Sequence, residues 1–494
     1  MVSPDSDPLP AAGDMDVAEF RREAHRVVDW IAEYLAHPER YPVLSRATPG
    51  GTRQALPQGA PVQGEAFDAI FADFERLIVP GLTHWNHPGF FAYFATSGSG
   101  PGVLAEMLTA ALNVQAMLWR TSPAATELEE VVLGWLRDLM GLPSCFGGVI
   151  YDTASISTLH ALAAAREAAV PAARQHGLAA GPQLRVYVSE HTHTSIDKAV
   201  ILLGLGADAL VRVAVDERGA MRPGDLAAAI AADRASSRLP MAVVATVGTT
   251  SSTAVDPVAE IAGVCLREGI WLHVDAAYAG VTAMLPERRH LFEGSERADS
   301  LVVNPHKWLF TPFDLSVLFC RRMDVLRGAF SLVPEYLRST EQTGVRNLMD
   351  TGVQLGRRFR ALKLWMVLRY FGADGIRARL TEHMRLARVF ARWIDADPLF
   401  ERVADVPFSV VCFRWAPPGG SPEAQDSLNE RLLEAVNASG EVFLSHTRLN
   451  GRFVLRLAIG HIRTAEGHVA RAWSLLREHA RRLSQPSSTS AIPS

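Results

Sequence analysis

Hydrophobic positions near the start of the chain repeat at the spacing of an amphipathic helix. Apolar residues recur every three or four positions over 17–35, and Asp14 and Asp16 are both suited to cap the start of this helix. A Pro/Gly-rich stretch over 42–64 predicts an extended connection, and a second helix is predicted at about 65–78. Because two helices and a connector cannot bury their own apolar faces, we expect this segment to pack on a partner subunit.

From about residue 100 the pattern changes to short β-branched strands that alternate with helical stretches. This alternation predicts a mainly parallel α/β sheet covered by helices on both faces. Ligands in such sheets bind at the carboxyl ends of the strands. The predicted strands are Arg185–Ser189, Leu210–Val215, Met241–Val247, Ile270–Val274, Ser300–Val303 and Ser316–Cys320, and the helices between them include Thr158–Ala169, Pro223–Ala232 and Val258–Arg267.

The last third of the chain has a mixed pattern. Residues 356–370 have the periodicity of a long helix, while 408–415, 441–446 and 452–459 are rich in strand-forming residues. Asn450-Gly451 separates the last two strands and is a strong hairpin signal, since both residue types tolerate positive φ. A small α+β domain is therefore expected here.

Length and composition fit a protein of several domains. At 494 residues the chain exceeds the size of a single core. We assign 1–99 to an N-terminal helical segment, 100–376 to a large α/β domain and 377–494 to a small α+β domain. The Ser/Thr/Pro-rich tail from residue 484 is expected to be disordered.

Charge and hydropathy argue against several classes of function. A net charge of −4 without a basic arm disfavours nucleic acid or an acidic membrane surface as a partner. Residues 1–13 lack the basic and apolar regions of a signal peptide, and no apolar run reaches the roughly eighteen residues of a membrane span. The four cysteines are scattered, which disfavours a disulfide framework or a thiolate metal site. A cytoplasmic protein is the simplest expectation.

Two polar residues at the ends of predicted strands carry the strongest chemical signal. Asp275 and Lys307 each follow an apolar strand, and either residue alone is ordinarily a strand-end surface group. Together they suit the two ends of a pyridoxal phosphate ring, because a lysine amine forms a Schiff base with the aldehyde and a carboxylate keeps the pyridine nitrogen protonated. Thr246 and His193 also fall at or just beyond strand ends.

A phosphate-binding segment is predicted beside a helix start. Residues 151–155, Tyr-Asp-Thr-Ala-Ser, precede a helix that the pattern begins near Thr158. Free amides at a helix N-terminus and adjacent hydroxyls bind phosphate, although the same pattern is typical of an ordinary helix cap. The glycine-rich stretch 97–102 is similar in composition, and we interpret it as a domain junction and helix start.

Residues 190–193, Glu-His-Thr-His, admit two interpretations. The two histidines lie on one face of a continued strand and would suit a metal pair, but no third ligand stands at a suitable spacing. A ring that stacks on a cofactor is the better interpretation, and alternation alone favours His191 and His193 equally. The candidates for an apolar substrate pocket, which equally suit core packing, are Trp85, Tyr93 and Phe94.

With these residues the chain resembles the group II pyridoxal-phosphate-dependent decarboxylases, specifically the aromatic-L-amino-acid decarboxylases. The likeness extends from about Val17 to His461. Its highly specific motifs are HPGFFAYF (87–94), SPAATELE (122–129), HVDAAYAG (273–280), NPHKWL (304–309) and LGRRFRALK (355–363). The resemblance implies a fold-type I α/β enzyme with a mainly parallel seven-stranded sheet, pyridoxal 5'-phosphate as cofactor, and a homodimer whose active sites lie at the subunit interface.

The resemblance also implies roles for individual residues. Lys307 is the expected Schiff-base lysine, Asp275 the pyridinium partner and His193 the stacking imidazole. The other residues expected to bind the cofactor are Ala154, Ser155, Thr246, Ala277, Asn304 and His306. The residues expected near the substrate are Trp85, Tyr93, Phe94 and Thr96. The expected reaction is decarboxylation of an aromatic L-amino acid to its amine.

One position departs from the family pattern. The family's mobile loop carries a tyrosine thought to reprotonate the substrate, and a count without gaps from Leu355 places Leu348 there. In related plant and insect enzymes phenylalanine at this position accompanies an aldehyde product, so decarboxylation coupled to oxidative deamination is an alternative. A non-catalytic dimeric relative and a transaminase of the same fold are further alternatives. Intact Lys307, Asp275 and His193 argue against the non-catalytic one.

Overall fold

The chain divides into two compact units, one that ends at His87 and one that begins at Pro88. The computed structural model describes residues 14–171, 173–179, 181–332 and 345–485. The domain boundaries expected after residues 99 and 376 stay predictions. Nearly all of the tail that was expected to be disordered, from residue 486 onward, lies outside the described residues.

The first unit is built from one long helix and shorter ones, joined by extended chain. Its helices are α1 (Val17–Ala36), α2 (Gly51–Ala55) and α3 (Phe67–Asp73). Asp16 caps α1, because its carboxylate accepts the amides of Ala18 and Glu19 at 2.9 and 3.2 Å. Both predicted helices are confirmed, and the second continues past α3 as a π-helical segment, Phe74–Ile78.

The second unit contains two β-sheets and a larger set of helices. Its helices are α4 (Gly100–Leu112), α5 (Pro123–Met140), α6 (Ala154–Ala169), α7 (Ala173–His176), α8 (Ser195–Leu202), α9 (Pro223–Ala235), α10 (Val258–Glu268), α11 (Pro305–Trp308), α12 (Met323–Phe330), α13 (Ala361–Ala396), α14 (Pro422–Ala438) and α15 (Glu466–Ser484). Its strands are β1 (Phe90–Phe91), β2 (Gly147–Tyr151), β3 (Leu184–Ser189), β4 (Leu210–Val213), β5 (Leu239–Thr246), β6 (Trp271–Asp275), β7 (Ser300–Val303), β8 (Ser316–Cys320), β9 (Phe400–Arg402), β10 (Val410–Trp415), β11 (Phe443–Leu449) and β12 (Arg452–Ala458).

Seven strands form the large sheet, in the order β2-β8-β7-β6-β5-β3-β4. Neighbouring strands pair in parallel except at β8, which runs antiparallel to both β2 and β7. The two faces enter separate buried clusters, with Val243 in one and Val244 in the other. Burial on both faces explains why the strands are continuous apolar runs rather than alternating ones. The predicted mainly parallel seven-stranded sheet is confirmed.

Five strands form a smaller sheet, in the order β1-β11-β12-β10-β9. Its hairpin turns at Asn450 and Gly451, which have φ angles of 50° and 76° as a two-residue turn of this kind requires. The hairpin predicted from the Asn-Gly pair is therefore confirmed. The edge strand β1 comes from the HPGFFAYF motif and pairs in parallel with β11.

Strand β2 and the long helix α13 differ from the sequence expectation. Strand β2 was not predicted, because it begins with two glycines; a side chain at Gly148 would come within 2.9 Å of Leu133, so close packing requires glycine there. The long helix predicted at 356–370 begins at Ala361 instead and continues through a kink at Gly372. The residues before it are held in a non-helical course by Arg357, whose carbonyl accepts the amide of Ala116 at 2.9 Å.

No helix in the described parts of the chain is both long and apolar enough to cross a membrane.

Candidate active site

A cavity of about 190 Å³ opens at the carboxyl ends of the central strands of the large sheet. Strand β5 ends at Thr246 and β6 at Asp275, and these two residues are direct neighbours across the parallel pair. The residues expected from the sequence that line the cavity are Phe94, Ala154, Ser155, His193, Thr246, Asp275, Ala277, Asn304 and Lys307. Residues separated by more than two hundred positions in the chain thus meet at one site, as the topology of a parallel sheet dictates.

Lys307 and Asp275 face the same cavity, Asp275 from the end of β6 and Lys307 from the turn after the neighbouring strand β7. Lys307 lies in α11, a single turn that Pro305 begins directly after Asn304. Burial lowers the pKa of the lysine amine, and the carboxylate of Asp275 partly opposes this shift. Asp275 is 7 % exposed, and its Oδ1 accepts the amide of Ala277 at 3.1 Å. The site therefore holds an amine with an enlarged neutral fraction beside a nearly buried carboxylate.

His193 presents one defined ring nitrogen to the cavity. Its Nδ1 accepts the amide of Ser195 at 3.1 Å and lies 2.9 Å from the Ser195 hydroxyl. Since Nδ1 is an acceptor, the neutral ring carries its proton on Nε2. Burial lowers the pKa of the imidazole, and the Lys307 amine lowers it further. His191 lines a different cleft, beside Asp216, so of the two histidines that alternation left equal it is His193 that reaches this cavity.

The N-terminus of α6 forms one wall of the cavity. This helix begins at Ala154 rather than near Thr158, so the amides of Ala154 and Ser155 belong to its first turn and have no partner within the helix. Thr153 turns its hydroxyl to Asp152 at 3.1 Å instead of capping the helix. Two free amides and the Ser155 hydroxyl at a helix N-terminus suit a phosphate group.

Asn304 and His306 support the lysine turn in different ways. The Asn304 side-chain oxygen accepts the Ser316 hydroxyl at 2.7 Å, and Ser316 lies 2.8 Å from the Ser157 hydroxyl on α6. These hydrogen bonds link the turn that carries Lys307 to the N-terminal part of α6, where the phosphate is expected to bind. His306 is buried outside the cavity lining, and its Nδ1 accepts the amide of Leu315 at 2.8 Å. Burial lowers the pKa of His306 to about 3, so the ring is neutral.

The residues expected near the substrate separate into three groups. Phe94 lines the cavity, and its ring centroid lies 5.2 Å from Lys307 Nζ. Tyr93 and Thr96 are not part of the cavity lining, and Tyr93 is 53 % exposed. Trp85 belongs to the first unit. The substrate roles of these residues stay predictions.

Tyr278 is a cavity residue that the sequence reasoning did not assign. Its ring stacks on Phe94 at 3.9 Å and on Trp308 at 4.8 Å between centroids, and its hydroxyl lies 2.5 Å from that of Ser409. Its place in the HVDAAYAG motif was the available signal. The stack makes the cavity wall next to Lys307 rigid and apolar.

The residues present fit pyridoxal phosphate. Thr246 Oγ1 is buried and has no hydrogen-bond partner among the described residues, which is the state expected of a group that a ligand completes. The cavity also offers an amine, a carboxylate and a free helix N-terminus, which suit the aldehyde, the pyridine nitrogen and the phosphate of the cofactor, respectively. No group of three or more His, Cys, Asp or Glu side chains suited to a metal ion occurs within the described ranges.

Comparison with known proteins agrees with this site. The model of the pyridoxal-dependent decarboxylase conserved domain matches residues 49–416. Tryptophan decarboxylase 2 of Oryza sativa subsp. japonica is 42 % identical over 476 residues, which cover 94 % of this chain and 95 % of that protein. Phenylacetaldehyde synthase of Arabidopsis thaliana is also 42 % identical over 476 residues, with coverage of 94 % and 96 %. A crystal structure of Oryza sativa TDC with PLP and tryptamine superposes with a TM-score of 0.93 at 36 % identity, and the match covers 96 % of this chain and 100 % of that one.

Proposed function

The chain belongs to the pyridoxal-dependent decarboxylase family, and from this premise we propose that it converts an aromatic L-amino acid into the corresponding amine and CO2. The observation that carries the proposal is the single cavity that brings together Lys307, Asp275, His193 and the free N-terminus of α6. Relatives named for tryptophan and tyrosine decarboxylation support the aromatic class of substrate. A cytoplasmic location stays a prediction from the sequence.

Each residue has a task that follows from its position. Lys307 Nζ supplies the amine that binds the cofactor aldehyde, and burial keeps a larger fraction of it neutral and nucleophilic. The amides of Ala154 and Ser155 would hold the phosphate of the cofactor. The bound cofactor would supply a ring that accepts the electrons that CO2 leaves behind, and Asp275 would favour this by holding a proton on the pyridine nitrogen. The apolar wall of Phe94 and Tyr278 excludes water from the reacting bonds.

A proton must return to the substrate Cα for an amine to form. His193 carries its proton on Nε2, because Nδ1 is engaged by Ser195. His193 is thus a cavity residue that carries a proton on a defined atom. We assign it the transfer of that proton to the substrate Cα. The assignment explains how an amine can form although the loop tyrosine is replaced by Leu348.

A product assay tests the reaction. Cofactor-loaded protein is supplied separately with L-tyrosine, L-dopa, L-phenylalanine, L-tryptophan and 5-hydroxytryptophan, and CO2, amine, aldehyde and peroxide are quantified. We expect amine and CO2 in equal amounts from at least one substrate. Absence of CO2 from all five would refute the proposal, and protein heated to denaturation serves as the blank.

The second candidate function is conversion of the amino acid, with O2 and water consumed, to an aldehyde, CO2, ammonia and hydrogen peroxide. Leu348 favours it, since this side chain is 1 % exposed and has no proton to donate. The turn that it begins, Leu348–Thr351, is fixed by the Met349 amide, which donates to the Met117 carbonyl at 3.1 Å. The similarity of this chain to a relative named phenylacetaldehyde synthase also supports the aldehyde-forming function. Peroxide equal to CO2 in the product assay would select this function.

We also propose that the active form is a homodimer. On α4 the side chains Leu104, Leu108 and Leu112 are 57 %, 47 % and 59 % exposed, and their four-residue spacing places them in one stripe. The adjoining face of the helix is buried at Ala105 and Thr109. An exposed apolar stripe of this length is typical of a surface that a second subunit covers. A dimer would also supply the cover expected for the N-terminal segment.

The dimer predicts a mass of twice 53.8 kDa in light scattering. Leu108→Asp places a charge in the middle of the stripe and is expected to shift the mass toward that of one chain. Leu266→Asp is the matched control, because Leu266 is 76 % exposed but lies on α10, away from the stripe. A wild-type mass of one chain at micromolar concentration would contradict the proposal.

A further inference from the structure

A buried hydrogen-bond chain lies directly behind Asp275 on the same strand. Trp271, His273 and Asp275 alternate along β6 and therefore share one face of the sheet. Ser300 on β7 is the cross-strand neighbour of His273. The Trp271 indole donates to Ser300 Oγ at 2.9 Å, and Ser300 Oγ lies 2.9 Å from His273 Nδ1.

This chain fixes the tautomer of His273. The indole is a donor only, so Ser300 Oγ accepts from it and keeps its own proton to donate. Ser300 is fully buried, and His273 Nδ1 is the acceptor that lies within reach of its hydroxyl. Nδ1 thus accepts, and the neutral ring carries its proton on Nε2. Burial lowers the pKa of His273 to about 4, which keeps the ring neutral, while Asp275 acts in the opposite direction.

The Nε2–H of His273 is unused. His273 has no exposed surface, and its Nε2 has no hydrogen-bond partner among the described residues. A buried donor without a partner is costly and rare in a native protein, so it marks a group that something else completes. Asp275 is the charged residue that acts on this ring, and it lies two residues further along the same face.

The geometry suits an indirect contact. Residues two apart on a strand have Cα atoms roughly 6.6 Å apart and side chains on one face, a spacing that one bridging water can span between two polar groups. The Asp275 carboxylate can accept a further donor, because the Ala277 amide is its one donor among the described hydrogen bonds.

We propose that His273 is a positioning residue for Asp275. Its Nε2–H would hold the carboxylate, through one bridging water, aimed at the pyridine nitrogen of the cofactor. Trp271 and Ser300 act behind it by fixing the ring and its tautomer. The inference rests on the cofactor of the family and not on the substrate, so it survives even if the proposed reaction is wrong.

Cofactor binding tests the proposal without turnover. Apoprotein is titrated with pyridoxal phosphate while the visible absorbance of the cofactor is followed, and the melting temperature of the apoprotein is measured in parallel. His273→Phe keeps a flat ring but removes the donor, and we expect the Kd to rise about tenfold and the visible band to shift. His273→Gln restores an N–H near the position of Nε2 and is expected to return the Kd to within about threefold of wild type.

Leu272→Ala is the matched control. It removes buried packing from the same strand on the opposite face but leaves the chain of Trp271, Ser300 and His273 in place, so it is expected to lower the apoprotein melting temperature without changing the visible band. Equal losses of apoprotein stability in His273→Phe and Leu272→Ala, with the Kd and band of both unchanged, would overturn the proposal. If His273→Phe does not fold, His273→Asn replaces it, since its amide is one methylene too short; equal Kd values for the Asn and Gln variants would then overturn it.

Discussion

Replacing Lys307 with alanine is expected to lower the decarboxylation rate by roughly 10³-fold or more and to abolish covalent attachment of the cofactor. The reason is the placement of its amine in the cavity, opposite Asp275 and beside the Phe94 ring. Burial lowers the pKa of this amine and so favours the neutral, nucleophilic form. Alanine leaves the cavity walls in place but supplies no nucleophile.

The low lysine content of the chain makes the site of cofactor attachment easy to identify. The chain contains three lysines, Lys198, Lys307 and Lys363. Lys198 is exposed on α8, whereas Lys363 is buried and paired with Glu106 at 2.5 Å. Reduction of cofactor-loaded protein with borohydride followed by peptide mass spectrometry should therefore place the modification on Lys307.

Lys198→Ala is the matched control, and we expect it to keep both the modification and the activity. A reduced cofactor found on Lys198 or Lys363 in the wild type would contradict the assignment. Retention of a borohydride-stable adduct in Lys307→Ala would contradict it as well. Noncovalent binding of the cofactor to Lys307→Ala would agree with the assignment, because the expected phosphate site at Ser155 is unchanged in this variant.

The chemistry of the site was readable from sequence because it depends on strand ends. Asp275 and Lys307 each follow a short apolar strand, and parallel strands bring their carboxyl ends to one edge. The pair could thus be assigned before any contact was known. The same reasoning identified the large sheet, since strands buried on both faces are continuous apolar runs.

Other features depend on contacts that no local pattern contains. The start of α6 was placed four residues late, because no side chain caps it; the hydroxyl of Thr153, directly before the helix, contacts Asp152 instead. Alternation left His191 and His193 equal, and only the course of the chain after β3 separates their surroundings. Tyr278 escaped notice because its importance lies in stacking on side chains from two other segments.

Two of the family motifs meet in a buried ion pair rather than at the chemistry. Glu129 of the SPAATELE block and Arg357 of the LGRRFRALK block are joined at 2.9 Å, with their side chains 3 % and 5 % exposed. Glu129 also accepts the Ile150 amide at 2.9 Å, and Arg357 donates to the Ile150 carbonyl at 2.7 Å. The pair therefore holds β2 in place directly before the N-terminus of α6, where the phosphate is expected to bind.

Replacing Arg357 with methionine is expected to lower the free energy of unfolding by about 3–5 kcal/mol, because it leaves the Glu129 carboxylate buried without its partner. Denaturant titration of the apoprotein at fixed protein concentration measures this change. Arg358→Met is the matched control. Its side chain is 49 % exposed and pairs with Glu106, so the expected loss is below about 1 kcal/mol.

The double variant Glu129→Gln/Arg357→Met separates lost charge compensation from lost packing. Glutamine keeps an acceptor for the Ile150 amide but carries no charge, so it removes the uncompensated carboxylate. We expect the double variant to recover more than half of the stability that Arg357→Met loses. If both variants are equally unstable, the clamp acts through the hydrogen bond from Arg357 to the Ile150 carbonyl and not through its charge.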